Sequence, residues 1–297
     1  MKHFTSRILM ISPDKFRNNE LTISDNSFQS RVSENISISD RAISEFERLK
    51  ESISNRGVNV HAISDDSEFD TPDAVFPNNW ISFHHSNRAV LYPMSALNRR
   101  FERKSSALKK LSDQGIKIDI IKDYSHFEKD DKYLEGTGSI VLDRYNKLAY
   151  CSLSRRSDYD LLNIFCSEMN YKPIVFNSVY QSKPIYHTNV MMSICNNFSI
   201  ICLDSIEDKK QKNNIITNLK NSNLEIIDIE IDQMCSFMGN CIQLVDTNSN
   251  PLLVMSSRAY NAIKNSQLKI IEKHTDIIHS DITTIEDNGG GSARCMI

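Results

Sequence analysis

Asn288-Gly289-Gly290-Gly291-Ser292-Ala293-Arg294-Cys295-Met296-Ile297 is the stretch on which the reading of the chain turns. Three of the chain's eight glycines stand in a row here, followed by an arginine, a cysteine and two apolar residues. A glycine run lets backbone approach a ligand closely and reach positive φ, and a neighbouring arginine with exposed N–H groups favours the thiolate of a cysteine. Cys295 therefore reads as a nucleophile. Residues 292–297 read as a strand in search of a partner.

Working outward, one pattern recurs. Residues 80–92, 139–152, 190–203 and 241–255 each read as two strands around a polar turn. Each is followed by a helix (98–114, 157–169, 205–221 and 257–273) and then by a further strand (116–121, 174–177, 224–229 and 277–285). A fifth helix starts at Ser39 as N-cap, carries Ala42, Ile43, Phe46, Leu49 and Ile53 on one face and stops at Gly57, before a strand at 58–63. Five helices with four hairpins leave one hairpin missing. The C-terminal strand paired with a strand at 7–12 supplies it, so the chain closes on itself as five ββαβ units about a pseudo-fivefold axis. Such units need neighbours to bury their apolar faces. Asn79, Glu135, His187, Gly239 and Cys295 recur at near-even spacing just before the first strand of each unit, which brings them near the axis of one α/β domain spanning residues 1–297.

Composition excludes several other classes. The chain has 297 residues, 40% hydrophobic and 25% charged, with a net charge of −3, so no broad basic field invites nucleic acid or anionic membrane. The apolar run at 8–11 is too short for a signal-peptide core, and nothing approaches the about 20 apolar residues of a spanning helix. Seven cysteines without a CxxC pair fit a reducing compartment, so a cytoplasmic protein is expected. Residues 14–37 are polar and read as a long loop over one face, the kind that carries a binding lid.

Glu135 lies between an apolar residue and two glycines, in Leu134-Glu135-Gly136-Thr137-Gly138, where a solvated surface charge is a poor explanation. It is placed to orient His187, at the start of an apolar strand. Cys151, Cys166, Cys195, Cys202, Cys235 and Cys241 read as small packing residues. His84, His85, His126, His274 and His279 read likewise as structural. Residues 73–80, with the one tryptophan and the pair Asn78-Asn79, read as a rigid turn.

Phe76-Pro77-Asn78-Asn79-Trp80, Tyr92-Pro93-Met94 with Asn98-Arg99-Arg100, Leu134-Glu135-Gly136, His187-Thr188-Asn189, and Gly289-Gly290-Gly291 with Arg294-Cys295 together resemble the amidinotransferase/arginine deiminase superfamily. Within it the sequence is most similar to the citrulline hydrolase (citrulline ureidase) type. The resemblance implies a five-bladed β/α propeller without a cofactor, with Cys295 as nucleophile, His187 as acid/base and Glu135 as its partner. It places Arg156 and Arg99 or Arg100 on the substrate's α-carboxylate, with Arg294 and the backbone of Gly290 and Gly291 also at the substrate. Deiminases carry aspartates at the positions of Asn79 and Asn189. Two amides in their place suit a neutral ureido group, since an amide both donates and accepts. The expected reaction is therefore cleavage of L-citrulline, a small-molecule partner, to ornithine, ammonia and carbon dioxide through a covalent thiol intermediate. An arginine deiminase or dimethylarginine hydrolase is the alternative, and a catalytically silent amino-acid-binding propeller a further one. No nucleic acid or membrane partner is expected, and a homo-oligomer stays open.

Overall fold

The computed structural model describes residues 4–23, 25–29, 38–66, 68–104 and 106–297. The chain runs β1 (Arg7–Ser12), α1 (Ile38–Ser54), β2 (Asn59–Ser64), β3 (Ile81–His84), β4 (Arg88–Leu91), α2 (Ala107–Asp113), β5 (Asp119–Asp123), α3 (Gly136–Ser139), β6 (Val141–Asp143), β7 (Leu148–Ser152), α4 (Tyr159–Met169) and β8 (Lys172–Phe176). It continues through the small hairpin β9 (Val179–Tyr180) and β10 (Lys183–Pro184), then α5 (Thr188–Met191), β11 (Met192–Ile194), β12 (Phe198–Ile201), α6 (Lys209–Asn221) and β13 (Glu225–Asp228). The last part comprises α7 (Ile231–Cys235), β14 (Ile242–Val245), β15 (Pro251–Ser256), α8 (Ser257–Asn261), α9 (Asn265–Glu272), β16 (Asp276–Ser280) and α10 (Thr283–Gly289).

Besides the β9–β10 hairpin, the strands form five separate sheets in chain order. Four have three strands: β3-β4-β5, β6-β7-β8, β11-β12-β13 and β14-β15-β16. In each the first pair is antiparallel and the second parallel, with the helical segment crossing between strands two and three. The remaining sheet is β1 and β2 in parallel, from Arg7 opposite Asn59 to Ser12 opposite Ser64. Among the described residues no sheet closes into a barrel.

The amphipathic helices seal these sheets. Ala42, Phe46, Leu49 and Ile53 of α1 are buried in one cluster with Ile8, Met10 and Ile278, and each fully buried large apolar side chain contributes about 1.5–3 kcal/mol. Helix starts follow local chemistry: the carboxylates of Asp158 and Asp208 accept from the first-turn amides of α4 and α6.

The expected closing hairpin does not form. Residues 292–297 make successive turns, in which Cys295 N–H donates to Ser292 O (2.8 Å) and Met296 N–H to Ala293 O (3.3 Å). An extended strand would commit its backbone groups to a neighbouring strand, whereas here the amides of Cys295, Met296 and Ile297 are satisfied within the turns and Arg294 N–H donates to Asn240 O at 3.4 Å. The last sheet meets the first by another route: Val245 N–H donates to Thr5 O at 3.1 Å and Thr247 N–H to Gly57 O at 3.1 Å. The part of the expected lid at 30–37 lies outside the described residues; residues 14–23 and 25–29 form an irregular loop that buries Phe16, Asn19, Thr22, Asn26 and Gln29.

Candidate active site

Asn79, Glu135, His187 and Asn240 each sit in a short turn directly ahead of the first strand of a sheet, β3, β6, β11 and β14 in that order. These turns are tied to one another. Ser139 Oγ donates to Arg156 O (2.6 Å), Glu135 N–H donates to the same carbonyl (3.1 Å), and Thr188 Oγ donates to Ser139 O (2.6 Å). Gly138 is required by packing, since a Cβ there would stand 2.4 Å from Asn79 Nδ2 and 2.7 Å from His187 Nδ1.

Glu135 is completely buried. Its Oε2 lies 2.9 Å from His187 Nε2 and 3.6 Å from the Arg156 guanidinium, and its Oε1 accepts from Ser95 N–H at 2.9 Å. Burial works to raise this carboxyl, but Arg156, the hydrogen bond of His187 and the charge of Arg99 outweigh it and hold it at about 2. An ionised carboxylate can only accept, so His187 Nε2 carries the proton and Nδ1 is left as the exchangeable nitrogen. Burial lowers the pKa of the imidazole against the opposing pull of Glu135, which favours a neutral ring.

Cys295 is buried on the C-terminal turn, and its Sγ receives Asn189 Nδ2 at 3.3 Å and Asn240 Nδ2 at 3.2 Å. Asn240 Nδ2 also donates to Asn189 O at 3.0 Å; that carbonyl can only accept, which sets the orientation of the amide toward the sulfur. Burial pushes the other six thiols up, Cys241 and Cys202 to about 11 and Cys151 and Cys166 to about 12, which disfavours their thiolates. Among the described residues no hydrogen bond joins Cys295 to His187. Both line one small pocket with Asp73, Asn79, Arg99, Arg156 and Tyr186.

The arginines divide by position. Arg99 is buried and saturated: it grips Glu102 with two bonds (2.8 and 3.0 Å), donates to Asn79 Oδ1 at 2.7 Å and to Phe76 O at 3.2 Å, and lies 3.8 Å from Asp73. Arg156 lies 5.0 Å from the centre of the Tyr186 ring and donates from Nε to Asp25 Oδ2 at 2.9 Å, its Nη2 reaching Asp25 Oδ1 as well. Arg100 is turned away, held by Met94 O (2.9 Å), Tyr133 OH (3.2 Å) and Glu128 (3.7 Å), and does not line the pocket. Arg294 lines a different, larger cavity. Gly290 takes a positive φ of 65°, and its carbonyl accepts from Tyr186 OH. A Cβ there would meet the Asn26 amide at 2.4 Å, so only glycine lets the loop at 14–29 dock. Gly291 lines the pocket beside Cys295.

Several site residues escaped the sequence reading. Asn240 directly follows Gly239, so the repeat spacing pointed within one residue of it. Asp73 falls in the stretch that reads as a rigid turn, yet it lines the pocket with Oδ1 unpartnered among the described residues, its carboxyl pushed up by burial. Asp25 carried no local signal.

This architecture is that of the amidinotransferase, guanidino-group-modifying superfamily. Within it the chain belongs to the family described as N,N dimethylarginine dimethylhydrolase, eukaryotic, whose model matches residues 12–297. Among solved structures it is similar to the apo arginine dihydrolase ArgZ of cyanobacteria, with a TM-score of 0.74 and 16% identity over 98% of this chain and 40% of that one. The chain thus spans about 40% of the length of that relative. It is equally similar to the N-terminal domain of ArgZ, solved as a mutant bound to substrate, with a TM-score of 0.74 and 16% identity over 98% of this chain and 96% of that one. A dimethylarginine dimethylaminohydrolase solved as an adduct with S-methyl-L-thiocitrulline matches with a TM-score of 0.65 and 13% identity, covering 99% and 98% of the two chains. No curated protein matches the sequence. No helix among the described residues is long and apolar enough to cross a membrane.

Proposed function

We propose that this chain is a thiol hydrolase that breaks a C–N bond at the guanidino carbon of arginine or an N-methylated arginine, as one domain over residues 1–297 whose five sheets are blades of one ring. The observation that carries this reading is the shared pocket of Cys295 and the Glu135–His187 pair, with buried acceptors beside it. A guanidinium offers only N–H donors. Asp73 Oδ1 and Asn189 Oδ1, both buried and unpartnered among the described residues, are acceptors that such a group requires.

In the first half-reaction Cys295 Sγ attacks the guanidino carbon while its proton passes to His187 Nδ1. The C–N bond to ammonia or the methylated amine breaks, and the amine leaves with that proton. Water then attacks the thiouronium carbon, giving its proton to His187, and the S–C bond breaks to return the thiol. Glu135 steadies the imidazolium that forms in both halves. Arg156 receives the substrate's α-carboxylate in place of Asp25, and Arg99 acts by holding Asn79 rather than by touching substrate.

A second reading, hydrolysis of L-citrulline, is favoured by one observation. Arg99 can only donate, so Asn79 presents Oδ1 to it and its Nδ2 is left unpartnered among the described residues. An orphan donor suits a ureido oxygen. The test is a panel of arginine, N-methylated arginines, agmatine and citrulline, following ammonia, methylamines, citrulline and ornithine. Ammonia from arginine, or methylamines from methylated arginines, would support the first reading. Citrulline turnover without arginine turnover would replace it with the second, and ornithine formed from arginine would mean that both steps occur at one cysteine. Binding without turnover of any member would leave a silent amino-acid-binding domain.

A further inference from the structure

The large cavity bordered by Arg294 has a volume of about 1,090 Å³ and shares no residue with the pocket that contains Cys295. The first strands of all five sheets contribute to its wall, for example Ile8, Phe83, Leu142, Ile194 and Leu244. Its electrostatics are unlike those of the chain as a whole, whose net charge is −3. Arg7, Arg88, Lys122, Arg144, Lys147 and Arg294 line it against the carboxylates of Asp143 and Glu168, with Ile297 also at the wall.

Those carboxylates are already engaged. Asp143 accepts from Asn146 N–H (2.9 Å) and Nδ2 (2.8 Å), and Glu168 from Lys122 (2.9 Å) and Tyr124 OH (2.6 Å). The contacts of the other cations are neutral: Arg88 Nε donates to His85 O (3.1 Å), Arg144 Nη1 lies 3.4 Å from His84 Nδ1, and Lys147 Nζ sits 4.9 Å from the centre of the Tyr171 ring. Burial first, then the charges of Arg144, Arg88 and Lys147, hold His84 down at about 3, so it stays a neutral acceptor. Among the described residues, Arg88, Arg144, Lys147 and Arg294 form no ion pair. Asn78, also on the cavity wall, is 4% exposed, and neither its Oδ1 nor its Nδ2 has a partner among the described residues.

We infer that this cavity binds a small oxyanion of the phosphate class, either free phosphate or the phosphoryl group of a nucleotide. Like charges gathered around one cavity repel unless an anion enters, and such a cavity concentrates anions from solution. Arginine forks match the geometry of a phosphate group. The Asn78 Nδ2 supplies a neutral donor to a further oxygen and would gain the acceptor it lacks among the described residues. The site lies outside the substrate pocket, so the inference stands or falls independently of the substrate assignment.

The test is titration calorimetry on the whole chain at constant ionic strength, with inorganic phosphate in one arm, adenosine monophosphate in a second and chloride in a third. Phosphate should bind with a dissociation constant of about 1 mM or tighter, and Arg144→Gln should weaken it at least about tenfold. Adenosine monophosphate binding tighter than phosphate would assign a nucleotide source; equal or weaker binding would assign free phosphate. Arg88→Gln, at an exposed position, provides a second variant should Arg144→Gln fail to fold. Heats no larger than with chloride, or phosphate binding undiminished in the folded variants, would overturn the inference.

Discussion

Cys295 and Arg294 are consecutive residues that face two differently built spaces. In the pocket of Cys295 every buried arginine has a carboxylate: Arg99 holds Glu102, and Arg156 lies between Asp25 and Glu135. In the cavity of Arg294 four cations have, among the described residues, neutral neighbours or none. A paired buried arginine is spent on holding geometry, because breaking the pair would strand a charge. An unpaired cation is available to a ligand. The difference separates a space built to orient a reaction from one built to attract an anion.

The largest test of this contrast removes the sulfur. Cys295→Ala should lower kcat/KM by at least about 10³-fold with little change in melting temperature, whereas Cys241→Ala, whose thiol lines neither space, should keep activity below its melting point. Equal losses would mean that Cys295 is a packing residue and the two spaces are not functionally distinct. Next in size, Glu135→Gln should lower kcat by about 10²-fold or more. A carboxyl held at about 2 is ionised throughout the working range, so this deficit should be the same at pH 5 and pH 8. Its contribution to stability is present above the unfolded carboxyl value, about 4.3, and is lost only as pH falls toward 2. A deficit that vanished at low pH would show that the carboxylate is not what holds His187.

Much of this arrangement was readable because it is local. The alternation of hairpin, helix and strand gave four of the five sheets close to their observed limits, and the residues ahead of the first strands gave Asn79, Glu135 and His187. What failed was set by distant partners. Residues 277–285 read as one strand, with Ile277, Ile278, Ile282 and Ile285 as its apolar residues, but the chain leaves the sheet after Ser280 and α10 begins at Thr283. The amides of Thr284 and Ile285 at that helix start are taken by the Glu45 carboxylate of α1 at 2.9 and 3.0 Å. No sequence period announces a cap more than 200 residues away. Asp25 on Arg156 is the same kind of contact, and the C-terminal turn, read as a strand, depends on Asn189 and Asn240 meeting Cys295.

The Asp25–Arg156 pair gives the intermediate effect. If Arg156 carries the substrate's carboxylate, Asp25 competes with that carboxylate for the same guanidinium. Arg156→Gln should then raise KM at least about tenfold, and Asp25→Asn should lower it by about threefold. A raised KM in both would make Asp25 part of substrate binding instead, and the pocket would gain an acid where a competitor is proposed.

The smallest expected effect concerns Glu286, beneath the glycine loop that joins the two spaces. Its Oε1 accepts from Ser292 Oγ at 2.6 Å, its backbone carbonyl accepts from Gly290 N–H at 2.8 Å, and Arg258 Nε stands 3.2 Å from Oε2. Burial pushes this carboxyl up to about 7 against Ser256, Ser292 and Arg258. Because the folded value lies above the unfolded one, the stability linked to this group is complete below about pH 4.3 and is lost as pH rises through 7. The wild-type melting temperature should therefore fall between pH 5 and pH 8. Glu286→Gln cannot ionise and keeps an acceptor for Ser292, so it should flatten that fall by about 2–4 °C. Parallel curves for the two proteins would mean that Arg258 compensates the charge fully and that the loop under Cys295 is as well paired as the pocket above it.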